Sequence, residues 1–224
     1  MTRSVALENG EFYHVYNRGV DKRNVFMCED DIDRFSQSMK EFNVVTPIGS
    51  IFEQMLRKRK FGNETPKTSK EEQLVRLIAF CLNPNHYHFI IEQLVDGGIS
   101  AFMKRLNGGY TNYFNLKYKR SGSLFQGVFQ ARHIGLNNYL LHLSAYVNLN
   151  YRVHRLPAKL LRTCSTSSWE EYLGIAANHR CAKEIVLGQF RDTEEYKNFA
   201  EDSLREIIKQ KQLYRELGQV LFKE

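Results

Sequence analysis

His86 and His88 flank a single tyrosine in the stretch Asn83-Pro84-Asn85-His86-Tyr87-His88-Phe89-Ile90-Ile91. On a β-strand, side chains alternate between faces, so both imidazoles point one way and Tyr87, Phe89 and Ile91 the other. At a rise of about 3.3 Å per residue the two imidazoles stand about 7 Å apart along the strand, which suits two ligands of one metal ion. The same pattern also describes a strand carrying structural or surface histidines, so a metal site needs donors from elsewhere. A second set lies at Tyr139, His142, Tyr146 and Asn150, spaced i, i+3, i+7 and i+11, one stripe of a helix. Divalent ions in phosphoryl chemistry take hard oxygen ligands and sometimes imidazole. Two histidines and an amide oxygen leave positions open for a phosphate and water, and the ion acts as a Lewis acid. Tyr146 precedes Asn150 by four residues, about 6 Å along a helix, close enough to share one phosphate. Tyrosine can serve as a covalent nucleophile. The combined site is therefore His86, His88 and Asn150 on a metal, with Tyr146 attacking. With 12 tyrosines in the chain, a Tyr/Asn pair at this spacing also arises by chance.

These residues need elements to hold them. Residues 11–17 alternate and are aromatic and β-branched, a strand with Phe12, His14 and Tyr16 on one face and Tyr13 and Val15 on the other. His14 reads as a half-buried strand histidine rather than a ligand. Asp30 to Val45 carries Ile32, Phe35, Met39 and Phe42 at helical spacing, with Asp30 or Asp31 as cap. Leu74 to Leu82 is an apolar run broken only by Arg76, a buried strand. The Asn83-Pro84-Asn85 turn joins it to the His86–Ile91 strand, so the two should pair antiparallel. Ile99 to Tyr118 is helical, with Gly108-Gly109 at its middle marking a kink or close packing. Leu124 to Ile134 reads as another strand. Asn137 or Asn138 then caps a helix to about Val153, whose Leu140, Leu143, Val147, Leu141, Ala145 and Leu149 can fill the core. Beyond Leu156-Pro157 come a docked turn with the only tryptophan, Trp169, and helices over residues 181–188 and 192–212. Tyr110 and Tyr113 read as core or as base-stacking residues.

A 224-residue chain suits one domain with an extension, with 1–156 as the catalytic domain and 157–224 as the helical part. No run approaches the roughly 18 apolar residues of a membrane span. The first ten residues hold no apolar signal core. Four scattered cysteines without a C-x-x-C pair point to a reducing cytoplasm. The net charge of +7 favours a polyanionic partner. Its cations cluster in an excursion over about 46–72, with Arg57, Lys58, Arg59 and Lys60, and again at Lys117, Lys119 and Arg120. Arg18 and Arg132, near strand ends, complete the expected nucleic-acid contacts. The Arg57–Lys60 run reads equally as a solvated loop or as phosphate contacts.

The motifs together resemble the HUH single-tyrosine transposases. His86-Tyr87-His88 looks like their histidine–hydrophobic–histidine signature, preceded by Asn83-Pro84-Asn85 as in that family. Tyr13-His14-Val15-Tyr16-Asn17-Arg18-Gly19 is similar to the first strand, and Tyr113-Phe114-Asn115 with Gly122-Ser123-Leu124-Phe125-Gln126-Gly127 to a later block. Tyr146 and Asn150 look like the catalytic-helix motif, and Ser167-Ser168-Trp169 through Tyr172 resembles the longer, REP-associated members. The resemblance implies a ferredoxin-like α+β fold with an antiparallel sheet packed by two main helices. It implies metal-dependent cleavage and transfer of hairpin-bearing single-stranded DNA through a 5′-phosphotyrosine, with Mg2+ or Mn2+. The alternative is a domesticated binder of folded single strands. Either acts in the cytoplasm, off the membrane, alone or as a homodimer. One departure stands out. The family commonly reads Asn-Pro-Val after the catalytic helix, whereas Asn150 is followed by Tyr151-Arg152-Val153. Without the proline the helix can run on.

Overall fold

The computed structural model describes residues 6–51, 53, 72–153, 163–176 and 180–221, with side chains of the last helix described to residue 212. Arg57, Lys58, Arg59 and Lys60 lie outside the described residues, as does the expected boundary at 156. Six elements run in the order βαββαβ: β1 (Phe12–Arg18), α1 (Glu29–Glu41), β2 (Val75–Asn83), β3 (His86–Gln93), α2 (Gly98–Lys117) and β4 (Gln130–His133). They continue with α3 (Asn137–Asn148), α4 (Asn150–Val153), β5 (Thr166–Ser167), α5 (Trp169–Tyr172), α6 (Glu184–Leu187) and α7 (Thr193–Leu221). The sheet order is β4-β1-β3-β2-β5, every pair antiparallel. The first four strands in that order are the ferredoxin-like arrangement that was expected.

Strand alternation gives the sheet two different faces. Tyr87 and Phe89 pack against Phe35 of α1 at 5.5 and 6.4 Å between ring centres, and Phe35 meets Tyr110 of α2 at 4.9 Å. That aromatic layer joins α1 and α2 to one face. His14, Tyr16 and His88 lie on the other face, where Tyr146 of α3 meets them. Tyr110 is a core residue whose hydroxyl donates to Val25 O at 2.6 Å. Tyr113 donates to Asp31 at 3.1 Å.

Several elements differ from expectation for local reasons. The α1 cap is Cys28, and Asp31 instead reaches back to accept the Met27 N–H at 2.8 Å. Of the run 124–134 only Gln130–His133 is strand, because Gly127 turns the chain at φ +67°. The residue before α3 is Leu136, without a side-chain cap, and Asn137 pairs with Gln189. The helix does not run through to Val153: Leu149 departs from helical geometry (φ −107°, ψ 11°), and Asn150 opens a short helix of its own.

The C-terminal part is built into the same core. Trp169, Tyr172 and Tyr196 belong to the continuous buried cluster. It also satisfies the outer edge of β2. Ser168 N donates to Phe80 O, Phe80 N donates to Ser168 Oγ, and Ala182 N donates to Leu77 O. Tyr172 OH and Ser165 Oγ donate to Ile78 O and Leu82 O. Among the described residues no helix is long and apolar enough to cross a membrane, and all four cysteines are free.

Candidate active site

The β2–β3 turn sets up the first ligand. Asn83 and His86 are partners in the register, and Asn85 Oδ1 sits 2.6 Å from His86 Nδ1. Asn85 can only accept there, so the proton is on Nδ1 and Nε2 keeps its lone pair. His86 Nε2 stands 3.3 Å from Asn150 Oδ1, across the space between β3 and α4. The break at Leu149 is what separates Asn150 from α3 and lets it sit, fully buried, beside β2.

Two positions on, His88 is held by a neighbour from β1. Its Nδ1 lies 2.9 Å from His14 Nε2, with the rings stacked at 5.1 Å. Burial, and then the positive charge of Arg132, lower the His14 pKa to about 4. Arg132 is opposite His14 in the β1–β4 register. His14 is therefore neutral at ordinary pH and orients His88 rather than carrying charge.

Tyr146 completes the group. Its ring stands edge-on to His88 at 5.5 Å and to His14 at 6.4 Å. Burial raises the pKa of its hydroxyl; the Asn150 amide nearby acts in the opposite direction, while Cys81, Tyr16 and Tyr139 add to the rise. From α7, Lys211 places its ammonium 5.6 Å from the centre of the Tyr146 ring. A cavity of about 520 Å³ opens here, lined by His86, His88, Tyr146, Tyr16, Arg18 and Lys211.

The donor set fits a divalent ion. Two imidazoles that coordinate one ion at about 2.1 Å have ring centres on the order of 5 Å apart. The His86 and His88 ring centres are 5.1 Å apart, at 87°. His86 Nε2 and Asn150 Oδ1 are separated by a typical distance between adjacent ligands. Asn83 Oδ1 and Asn150 Nδ2 are buried without hydrogen-bond partners. The site mixes imidazole and amide donors; among the described residues no three His, Cys, Asp or Glu side chains gather as a metal group.

Other expected site residues spread out. His142 turns to α7, with Nδ1 3.1 Å from Ser203 Oγ and its ring on Phe199. Tyr139 is exposed. Arg18 and Arg132 are on the site side of the sheet. Lys117 is not: at the end of α2, it pairs with buried Asp31 at 2.8 Å and also contacts Tyr113 and Cys28. Arg120 is held by Asn115 and Ser123 O, at 2.7 and 3.1 Å. Lys119 is exposed in a left-handed turn at φ +50°. Asn83 and Lys211 join the site without having been anticipated. The hairpin spacing could have found Asn83, but nothing in the sequence ties residue 211 to residue 146.

Residues 50–150 match the family model described as Transposase IS200 like, a span holding His86, His88, Tyr146 and Asn150. Over that span, somewhat under half of the chain, the sequence is similar to the IS200-like transposases. A solved structure described as "Structure of the REP associates tyrosine transposase bound to a REP hairpin" is similar at 12% identity and a TM-score of 0.48. The similarity covers 81% of this chain and 96% of that one. No curated protein sequence matches.

Proposed function

We propose that the protein cleaves and rejoins hairpin-bearing single-stranded DNA, with Tyr146 as nucleophile. The carrying observation is that Tyr146, His88 and His86 line one cavity, with the buried Asn150 Oδ1 3.3 Å behind His86 Nε2. Tyr146 Oη attacks a backbone phosphorus, forming the O–P bond of a 5′-phosphotyrosine and breaking the P–O3′ bond. The phenolic proton leaves and the departing 3′-oxygen is protonated. A second strand's 3′-hydroxyl then attacks the adduct and releases Tyr146, so no nucleotide cofactor is consumed. Mg2+ or Mn2+ on His86, His88 and Asn150 would act as a Lewis acid toward the phosphate and favour the phenolate. His14 keeps His88 in place, and Lys211 and Arg18 offer positive charge to the phosphate. Arg132 extends that charge along the sheet, while Arg57, Lys58, Arg59, Lys60 and Lys119 are assigned to the backbone of the same strand. Lys117, whose ammonium pairs with buried Asp31, is set aside, while Arg120, held by neutral oxygens of Asn115 and Ser123, stays with this group.

The half-buried state of Tyr146, with its raised pKa, gives some support to a second reading, a binder of folded single strands that no longer cleaves. Labelled single-stranded hairpin DNA incubated with Mn2+ and resolved on a denaturing gel separates the two. Tyr146→Phe should cut adduct formation on the order of 10³-fold or more while sparing DNA binding. Cleavage that persists in the variant would make water the nucleophile. No adduct from the wild type, with intact binding, would leave the binder.

A further inference from the structure

Asn83 ends β2 with its side chain completely buried. Its Nδ2 donates to Asn150 Oδ1 at 2.9 Å and lies 3.2 Å from His86 Nε2. Cys81 Sγ is a third, more distant acceptor at 3.5 Å, so the amide NH2 faces chiefly the two lone-pair atoms best placed to hold a cation. The other end of the amide, Oδ1, has no partner although it is buried. So has Asn150 Nδ2. Leaving such an atom buried and unpaired is costly, and a native protein keeps few of them without a use.

An amide NH2 group and a bound cation are alternatives here. Both present positive charge to His86 Nε2 and Asn150 Oδ1, and both cannot do so at once. An amide turned by a half-rotation about χ2 occupies nearly the same volume with oxygen and nitrogen exchanged. In Asn83 that rotation brings Oδ1 to the position from which Nδ2 now donates, beside the same two atoms. We propose that Asn83 is a further oxygen ligand of the divalent cation at this site. Its amide is a two-position element, NH2 inward without the cation and oxygen inward with it. This inference rests on the metal reading given above. An added amide oxygen hardens the donor set and moves its preference toward Mg2+ and Mn2+, away from softer ions.

A purely structural role is the rival: Asn83 would only pin Asn150. Titration of the full-length protein with Mn2+, followed by calorimetry and by the Mn2+ electron paramagnetic resonance spectrum, separates the two. Asn83→Leu should weaken Mn2+ binding at least about 10-fold. Asn83→Asp supplies an anionic oxygen but no donor to Asn150, so it should bind Mn2+ more tightly than wild type. A pinning residue would instead lose affinity in both variants. Thermal melts without metal report whether each variant folds, and if Asn83→Leu does not, the direction of change in Asn83→Asp decides alone. Asn83→Leu binding within about threefold of wild type, or Asn83→Asp weaker than wild type, overturns the proposal. If wild type itself fails to bind Mn2+ in a manner abolished by His86→Ala, the metal reading falls, and this inference with it.

Discussion

His14 confines a proton. With its pKa lowered to about 4 by burial and by Arg132, it is neutral in the folded protein at pH values where an unfolded chain begins to protonate it near 6.5. The unfolded state therefore binds more protons between those values. The stabilisation is complete above pH 6.5 and is lost as the pH falls toward about 4. The gap corresponds to on the order of 3 kcal/mol. His14→Gln, which cannot titrate, should show a flatter decline of the urea midpoint over that window than wild type, measured with a chelator present. Parallel curves would mean that another group carries the acid sensitivity. At this scale the sequence was informative where period alone sufficed. His86 and His88 share a face by strand alternation, and Tyr146 and Asn150 come from one stripe. The bond from His14 to His88 depends on the β1–β3 register, and the contact of Lys211 with Tyr146 on how α7 docks; neither register nor docking is written in local spacing.

Gly108 and Gly109 show how an element is fitted to its neighbour. Both lie inside α2, where alanine is about 1 kcal/mol better than glycine. A Cβ on Gly108 would meet nothing within 4 Å, whereas one on Gly109 would come within 2.7 Å of the Phe42 ring beyond the end of α1. Gly108→Ala should raise stability by up to about 1 kcal/mol. Gly109→Ala should lower it by about 1–2 kcal/mol, since overpacking outweighs the helix gain. Chemical denaturation of both checks this, and equal gains would show that Phe42 yields freely. Close packing, one of the two readings of the glycine pair, is thus the one realised. The β2–β3 hairpin, α1 and α2 were legible because each has a long period and a clear turn signal. The apolar pattern overruns β4 because residues 124 and 129 are buried in irregular chain around Gly127. β5 leaves no trace in the sequence, since two residues carry no period. The break at Leu149 has no glycine or proline to announce it.

Across the whole molecule, the C-terminal extension is more than an attached helical part. Its aromatic residues join the central core, and α7 brings Lys211 to the candidate site. It has a further effect on β2. That strand is nine residues long, almost entirely apolar, and inside the described fold its outer backbone groups are met by Ser165 to Ser168, Tyr172 and Ala182. A long apolar strand with open hydrogen-bonding groups is a template for pairing with another chain. The extension is thus also an edge guard, and a two-residue strand suffices because single side chains and turns satisfy the remaining groups. A chain ending at residue 153 should self-associate through β2, visible as concentration-dependent growth in light scattering, while the full chain does not. Lysine at an outward β2 position of the short form should restore dispersity. In this light, Ser168, with bonds to both the N–H and the C=O of Phe80, guards the molecule against its own copies.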